Sequence, residues 1–194
     1  FTWDLAAYRA QIKDELQCLT TNPGSACDVR NADSTVHQGL EIGFGITVAK
    51  RLLAQGETPD RLWLNVAYTL NDFRFDDDAL FGDNVLPGAP RHFLRAELLY
   101  RHPGGVFLGP NVEWVPQAYY VDNANTLKTE PYATWGMKLG FDNGGPVSAY
   151  LEGRNLSNEA YIASTNIAGL AAVNPALFEP GTGRAVYGGV KVKW

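Results

Sequence analysis

The sequence predicts an all-β fold, a transmembrane antiparallel β-barrel. Three observations predict it. Apolar and polar residues alternate with a period of two over long segments. The connections alternate between tight turns and long polar loops. No segment approaches the roughly 18 consecutive apolar residues of a membrane-spanning helix. The mean hydropathy of −0.19 suits a barrel, because lipid-facing and lumen-facing residues average out along each strand.

The alternation predicts about eight strands, and most of them reach the roughly 9–11 residues that cross a bilayer at a tilt. In chain order they are Trp3–Lys13, Ser34–Val48, Leu62–Asn71, Leu94–Arg101, Val106–Val121, Tyr132–Phe141, Val147–Glu152 and Arg184–Trp194. The first strand leaves its apolar face open, because the parity of Trp3 competes with the parity of Tyr8. The fifth contains Pro110 and Pro116, which remove ladder donors and predict bulges or a strand edge.

The connections differ in kind at the two ends of the strands. His102–Gly105 and Asp142–Pro146 are tight turns of residues that favour turn geometry. The long polar loops are Gln17–Asp33, Arg74–Arg91, Asp122–Pro131 and Thr165–Gly183. Outer-membrane barrels have short periplasmic turns and long extracellular loops, so we expect that orientation. Ala49–Arg61 is a long connection on the short-turn side, and its Arg51–Gln55 segment predicts a helical turn.

The polar parity of the strands is both charged and rich in glycine. Its charged members are Glu41, Arg95, Glu97, Arg101, Glu113, Lys138, Glu152, Arg154, Lys191 and Lys193. The alternative is a soluble β-sandwich or lipocalin-like barrel, whose apolar parity faces a core and whose strands are shorter. Charges on long strands favour a wet lumen, in which these groups pair with each other or with an inserted segment.

The sequence contains no catalytic or metal-binding motif. His37, His92 and His102 are scattered, and there is no nucleophile elbow, paired-His motif or phosphate-binding glycine loop. Asp76–Asp78 lacks the spacing of a calcium loop, so a solvated charge run is the preferred interpretation. We therefore expect neither an enzyme nor a cofactor. The net charge of −5 argues against nucleic acid as a partner.

The two cysteines, Cys18 and Cys27, flank a polar segment with Asn, Pro, Gly and Ser. Such a segment suits a small disulfide-closed loop in an oxidising compartment. Two free thiols are the alternative.

Five segments resemble, in order, motifs of the TonB-dependent outer-membrane receptors, which import ferric siderophores, cobalamin and other scarce solutes. They are Tyr8–Leu16, His37–Glu41, Leu86–His92, Arg154–Tyr161 and Pro180–Arg184. Each motif is weak alone, but the ordered set is specific and covers essentially the whole chain. The resemblance implies the cell outer membrane of a Gram-negative bacterium, and import of a scarce solute, with a ferric siderophore as the commonest choice.

Family receptors have an N-terminal plug inside a barrel of about 22 strands. The resemblance therefore implies that residues 1–194 are the C-terminal portion of such a barrel, without the plug or the region that contacts TonB. The start at Phe1, which lacks an initiator Met and a signal segment, agrees with this expectation. A small closed barrel, structural or adhesive and without transport, is the alternative. An outer-membrane enzyme is a third option, which the missing Ser/His/acid set disfavours.

The resemblance also implies partners: outer-membrane lipid and lipopolysaccharide, the rest of the barrel and plug, and the barrel-assembly machinery. The machinery's signal would be the aromatic ending of the last strand, which includes Tyr187, Gly189, Val192 and Trp194. Terminal aromatics also anchor at membrane interfaces.

We predict that the ligand contacts lie on the lumen parity near the long loops, or on the loops themselves. The residues that fit this description are His37, Tyr119, Asn123, Asn125, Tyr132, Asn166 and Phe178. Aromatic and amide groups suit siderophores, which present aryl or hydroxamate groups. Aromatic residues at a membrane interface and hydrogen bonding within the loops are the alternative roles.

Overall fold

The computed structural model of the protein describes residues 1–18, 28–171 and 177–194, and within these ranges the regular structure is entirely β. The strands are β1 Thr2–Lys13, β2 Leu16–Cys18, β3 Val29–Asn31, β4 Ser34–Lys50, β5 Arg61–Phe75, β6 His92–Arg101, β7 Val106–Val115, β8 Tyr132–Phe141, β9 Val147–Arg154, β10 Ile162–Thr165, β11 Phe178–Pro180 and β12 Ala185–Val192. No helix in the described ranges is long and apolar enough to span a membrane.

The eight long strands form one antiparallel sheet in the order β1-β4-β5-β6-β7-β8-β9-β12. This confirms the predicted all-β antiparallel fold. The sheet is open within the described residues, with β1 and β12 as its edges, so the small closed barrel does not form. The hairpins β2–β3 and β10–β11 are separate two-stranded sheets between consecutive long strands. At about 3.3 Å per residue, the 17 residues of β4 span more than the roughly 30 Å of a bilayer core.

The register shows which residues share a face, because directly opposite residues of antiparallel strands project to the same side. One cross-strand row is apolar throughout: Trp3, Phe44, Val66, Ala96, Val112 and Trp135. The next row carries Asp4, Gly43, Ala67, Arg95, Glu113 and Thr134. We call these the outward face and the lumen face. The sequence leaves open which side of the first strand is apolar; its pairing with β4 places Trp3 on the outward face and Tyr8 on the lumen face.

The prolines of the fifth predicted strand act differently from the prediction. That strand ends at Val115 and not at Val121, and Pro116 follows directly. Pro110 lies within β7 opposite Met137, and the pairing of β7 with β6 keeps one register on both sides of it. Pro110 thus removes a donor without inserting a bulge. Within the described part of the sheet, a register shift lies in the pairing of β4 with β5, between Thr47 and Ala49.

At the short-turn end, the two tight turns form as predicted. Gly105 closes the first turn with a backbone bond to the carbonyl of His102 (2.9 Å) and a φ of 100°, which favours glycine. Gly144 takes a φ of 78° in the second turn.

The long connection at this end is not helical, so the helical turn predicted for 51–55 is wrong. Asp60 is fully buried and holds the connection instead. Its carboxylate accepts the backbone N–H groups of Leu52 (2.7 Å), Leu53 (2.6 Å) and Ala54 (3.0 Å), and the hydroxyl of Tyr100 (2.8 Å). Burial alone would raise the pKa of Asp60, but these four hydrogen bonds outweigh it and lower the pKa to about 2.

Among the described residues, the hydrophobic core cluster lies at the long-loop end of the sheet. Ala32, Phe75, Phe81 and Leu86 form a buried cluster, against which Phe73 and Ala124 pack. These residues come from three different connections and from the protruding end of β5. The wall of the sheet cannot supply such a core, because its lumen and outward faces both lie open. The long loops therefore fold as a packed cap.

Candidate ligand-binding cap and lumen wall

Four loops build the cap, and we number them L1 (residues 14–33), L2 (76–91), L3 (116–131) and L4 (155–184). L1 and L2 exchange two hydrogen bonds between Asp33 and the segment Asp78–Ala79: Asp33 N donates to Asp78 Oδ2 (3.3 Å), and Ala79 N donates to Asp33 Oδ2 (3.1 Å). L2 and L3 are joined where Asn125 pairs with the backbone of Val85 in both directions, at 2.9 and 2.8 Å. Each loop is thus fixed by its neighbour.

L3 and L4 are joined by a short parallel ladder around Asp122. The backbone N–H of Asn123 donates to the carbonyl of Ala168, and that of Ala124 donates to the carbonyl of Gly169, both at 2.9 Å. The Asp122 carboxylate is fully buried and accepts the backbone N–H groups of Thr126 (2.8 Å), Leu127 (3.1 Å) and Ala171 (3.1 Å), together with the Thr126 hydroxyl. One side chain therefore organises a turn in L3 and holds a segment of L4.

Three of the predicted ligand residues are part of the packing of L3. Tyr119 is buried, and its burial raises the pKa of its phenol. Asn123 is fully buried and donates from its amide to the carbonyl of Cys18 in L1. Asn125 has a φ of 56°, and its side-chain amide donates to the backbone carbonyls of Val85 and Asp122. In this conformation the amides of Asn123 and Asn125 hold loops together, and Tyr119 is buried among them.

Two predicted residues face the lumen at the long-loop end, as their parity requires. His37 packs on Phe73 with ring centroids 4.8 Å apart, and its Nε2 lies 3.1 Å from Glu15 Oε2. Burial alone would raise the pKa of Glu15, but hydrogen bonds from Thr35 and His37 outweigh it and lower the pKa. The hydroxyl of Tyr132 donates to Glu113 Oε1 (3.0 Å).

The other two predicted residues lie on L4. Asn166 is exposed, and its backbone N–H bonds the carbonyl of Leu177 (2.9 Å). Phe178 opens β11, half-buried, opposite Thr165 of β10. Asn166 and Phe178 therefore lie at the same end of the β10–β11 hairpin. As ligand contacts, all seven residues remain predictions.

The lumen face carries a groove of about 740 Å³ beneath the cap, lined by the charged parity of β6 to β9. Its charges pair within the wall: Arg95 Nε with Glu113 (2.8 Å), Lys138 Nζ with Glu97 (2.8 Å) and Arg154 Nε with Glu152 (3.0 Å). The sequence predicted these positions as lumen-facing. The sequence alone does not show which of these charges pair, because the pairs depend on how the strands are aligned. Glu97 and Lys138, for example, lie on strands that are not adjacent.

Tyr161 is a groove residue that the sequence prediction missed. Its ring centroid lies 4.5 Å from that of Tyr132, and it lines the groove with Asn155. Asn155 and Tyr161 belong to the Arg154–Tyr161 segment, so the sequence signal for this groove lies in a motif that resembles the receptor family.

The described residues contain no group of three or more His, Cys, Asp or Glu side chains that could hold a metal ion. Cys18 is disulfide-bonded, and Cys27, its predicted partner, lies outside the described residues. In β12, Tyr187 faces the lumen beneath the Arg154 guanidinium (4.9 Å). Val192, in the last pair of the strand, and Trp194, which follows the strand, are both exposed. Their role as an assembly signal remains a prediction.

Comparison with solved structures supports the fold. The chain is similar to the ferric yersiniabactin uptake receptor of Yersinia pestis, with 18% identity and a TM-score of 0.71 over 98% of this chain and 27% of that receptor. A siderophore receptor of Acinetobacter baumannii matches with 16% identity and a TM-score of 0.66, over 97% and 26%. The ferric-catecholate import receptor of E. coli K12 matches with 18% identity and a TM-score of 0.63, over 97% and 24%.

The chain thus spans about a quarter of the length of these receptors. Residues 1–156 match the family model described as TonB dependent receptor-like, beta-barrel. That match covers most of the chain and agrees with the ordered motifs, the antiparallel sheet and its two faces. The protein therefore belongs to the TonB-dependent receptor β-barrel family.

Proposed function

We propose that the chain is the C-terminal part of the barrel of an outer-membrane receptor that imports a ferric siderophore in a TonB-dependent manner. The observation that carries the proposal is the cap: four loops packed over the charged lumen face, at one end of a sheet whose outward face is apolar. A packed loop cap above a wet lumen suits capture of a solute and its passage inward. It does not suit a barrel whose loops only adhere to a surface.

The open sheet supports a larger barrel around this chain. Both edge strands, β1 and β12, leave backbone donors and acceptors unpaired within the described part of the sheet. Unpaired strand edges are not tolerated in lipid, so other strands have to complete the wall. A barrel of about 22 strands with a plug would provide them, and contact with TonB would lie outside this chain. The long loops would be extracellular and the short turns periplasmic.

At the long-loop end, we assign direct ligand contact to the residues that remain accessible: His37 and Tyr132 on the lumen face, and Asn166 and Phe178 on L4. Their imidazole, phenol, amide and aryl groups suit planar aryl or hydroxamate groups. The buried residues of L3 would support the site by fixing the shape of the loops.

The experiment is a binding and growth screen of the intact receptor with ferric siderophores, cobalamin and copper. We expect saturable binding of one ferric siderophore and rescue of growth under iron limitation. Replacing His37 by Ala, Tyr132 by Phe and Phe178 by Ala together should weaken binding at least tenfold. The matched control is Leu139→Ala on the outward face, which should bind as the parent does. Unchanged affinity in the triple variant would overturn the site, and rescue by cobalamin or copper alone would overturn the siderophore.

We also propose that the barrel-assembly machinery recognises the end of β12. Deleting Trp194 should lower the amount of folded receptor in the outer membrane. Gel electrophoresis of heated and unheated samples measures this amount, because a folded barrel migrates differently from the unfolded chain. The Trp194→Phe variant keeps an aromatic terminus and should assemble normally. Equal assembly of the deletion and the parent would contradict this role.

A further inference from the structure

The connection between β4 and β5, residues 51–60, is bonded to the outward side of the sheet. Tyr100 lies opposite Leu62 and Leu108, on the outward parity. Its hydroxyl bonds the carboxylate of Asp60, which in turn accepts the backbone N–H groups of residues 52–54. The backbone of this connection is therefore tied to the face that carries the apolar rows, and not to the lumen face.

This fixed backbone leaves two leucines exposed. Leu53 is 77% exposed and Leu52 is 50% exposed, and Val48 on the outward parity of β4 is 54% exposed. Exposed apolar side chains are unfavourable in water, and a mobile loop could turn them inward. Here the buried Asp60 accepts the N–H groups of residues 52–54, so the leucines are kept exposed.

We propose that this connection is a membrane anchor, in which Leu52 and Leu53 insert among the phospholipids of the leaflet at the short-turn end. Val48 lies at the register shift where the apolar outward face meets the connection, so the same lipid phase can cover both. Arg51 directly precedes the leucines and forms no ion pair among the described residues. Its long stem can reach headgroup phosphates while the leucines stay below. The proposal rests on the membrane placement proposed above.

The test uses the intact receptor in protein-free phospholipid vesicles, with a nitroxide label on Leu53→Cys. The collision rates of the label with oxygen, which concentrates in lipid, and with a water-soluble nickel chelate are compared. Leu139→Cys on the outward face of β8 is the lipid control, and Glu57→Cys in the same connection is the aqueous control. We expect the label at 53 to collide more often with oxygen, as the label at 139 does, and the label at 57 to collide more often with the nickel chelate.

The outcomes separate the anchor from the membrane placement. A label at 53 that is as aqueous as the label at 57, beside a lipid-exposed label at 139, overturns the anchor alone. Aqueous labels at both 53 and 139 overturn the membrane placement as well. Adding Asp60→Asn to the labelled protein keeps one carbonyl acceptor but loses the other. We expect the label at 53 to become more mobile and at least twofold more accessible to the nickel chelate, and unchanged mobility would overturn the role of Asp60 in presenting the leucines.

Discussion

The most informative single change is Asp122→Ala, because one buried carboxylate joins L3 to L4. The substitution leaves three backbone N–H groups, those of Thr126, Leu127 and Ala171, without their acceptor. A buried donor that loses its partner costs about 1–3 kcal/mol. Water entering the gap would recover part of the loss. We take the lower limit for each donor and expect the closed arrangement of L3 and L4 to lose about 3 kcal/mol.

Such a loss is measured as local opening, since the sheet below need not unfold. At about 1.4 kcal/mol per factor of ten, amide hydrogen exchange in residues 121–131 and 166–171 of the intact receptor should accelerate by roughly 100-fold. Asp122→Asn keeps one carbonyl acceptor and should give an intermediate rate. Asp83→Ala removes an exposed carboxylate of L2 and should leave both segments unchanged. Acceleration of less than about threefold in the Asp122→Ala variant would refute the role of this side chain.

Three further predictions concern the wall and L1. Gly109→Ala would place a Cβ 2.1 Å from a carbonyl oxygen of β6, whereas the nearest atom at Gly188 is 3.4 Å away; only the first substitution should lower the urea midpoint of unfolding. Lys138→Met leaves Glu97 unpaired on a partly exposed wall, so we expect a loss of at most about 1 kcal/mol, smaller in high salt, by the same titration. Because the folded pKa of Glu15 is lowered, its contribution is complete above its ordinary pKa of 4.5 and is lost as the pH falls through the folded value. Protease cleavage within L1 should therefore increase below about pH 4.5, and cleavage that does not depend on pH would contradict this.

The sheet was predictable because its signals are local. A period of two requires only the sequence, and β8 from Tyr132 to Phe141 forms with the predicted bounds. The tight turns were equally accessible, since Gly and Pro restrict the backbone within a few residues. The face of the first strand could not be read from β1 alone. It became clear only from pairing with β4, where Trp3 lies opposite Phe44.

The cap was not predictable because its contacts join residues far apart in sequence. Asn123 donates to a carbonyl 105 positions away, and no pattern within L3 indicates this. An Asn on a polar loop reads equally well as a ligand contact or as a loop clamp. The role of Asp60 could not be predicted for the same reason, because it depends on a hydrogen bond from Tyr100 on another strand.

The shared packing of the four loops has a consequence for how receptors of this kind can change specificity. Asp33 and Asn125 bond to neighbouring loops, so a single loop grafted from another receptor would lack these partners. The loops should therefore be transferable only as one cassette, together with the end of β5 on which their core rests. Recombination breakpoints in the tight turns would preserve the cassette. Breakpoints within the cap would produce receptors that assemble a sound wall beneath a disordered entrance.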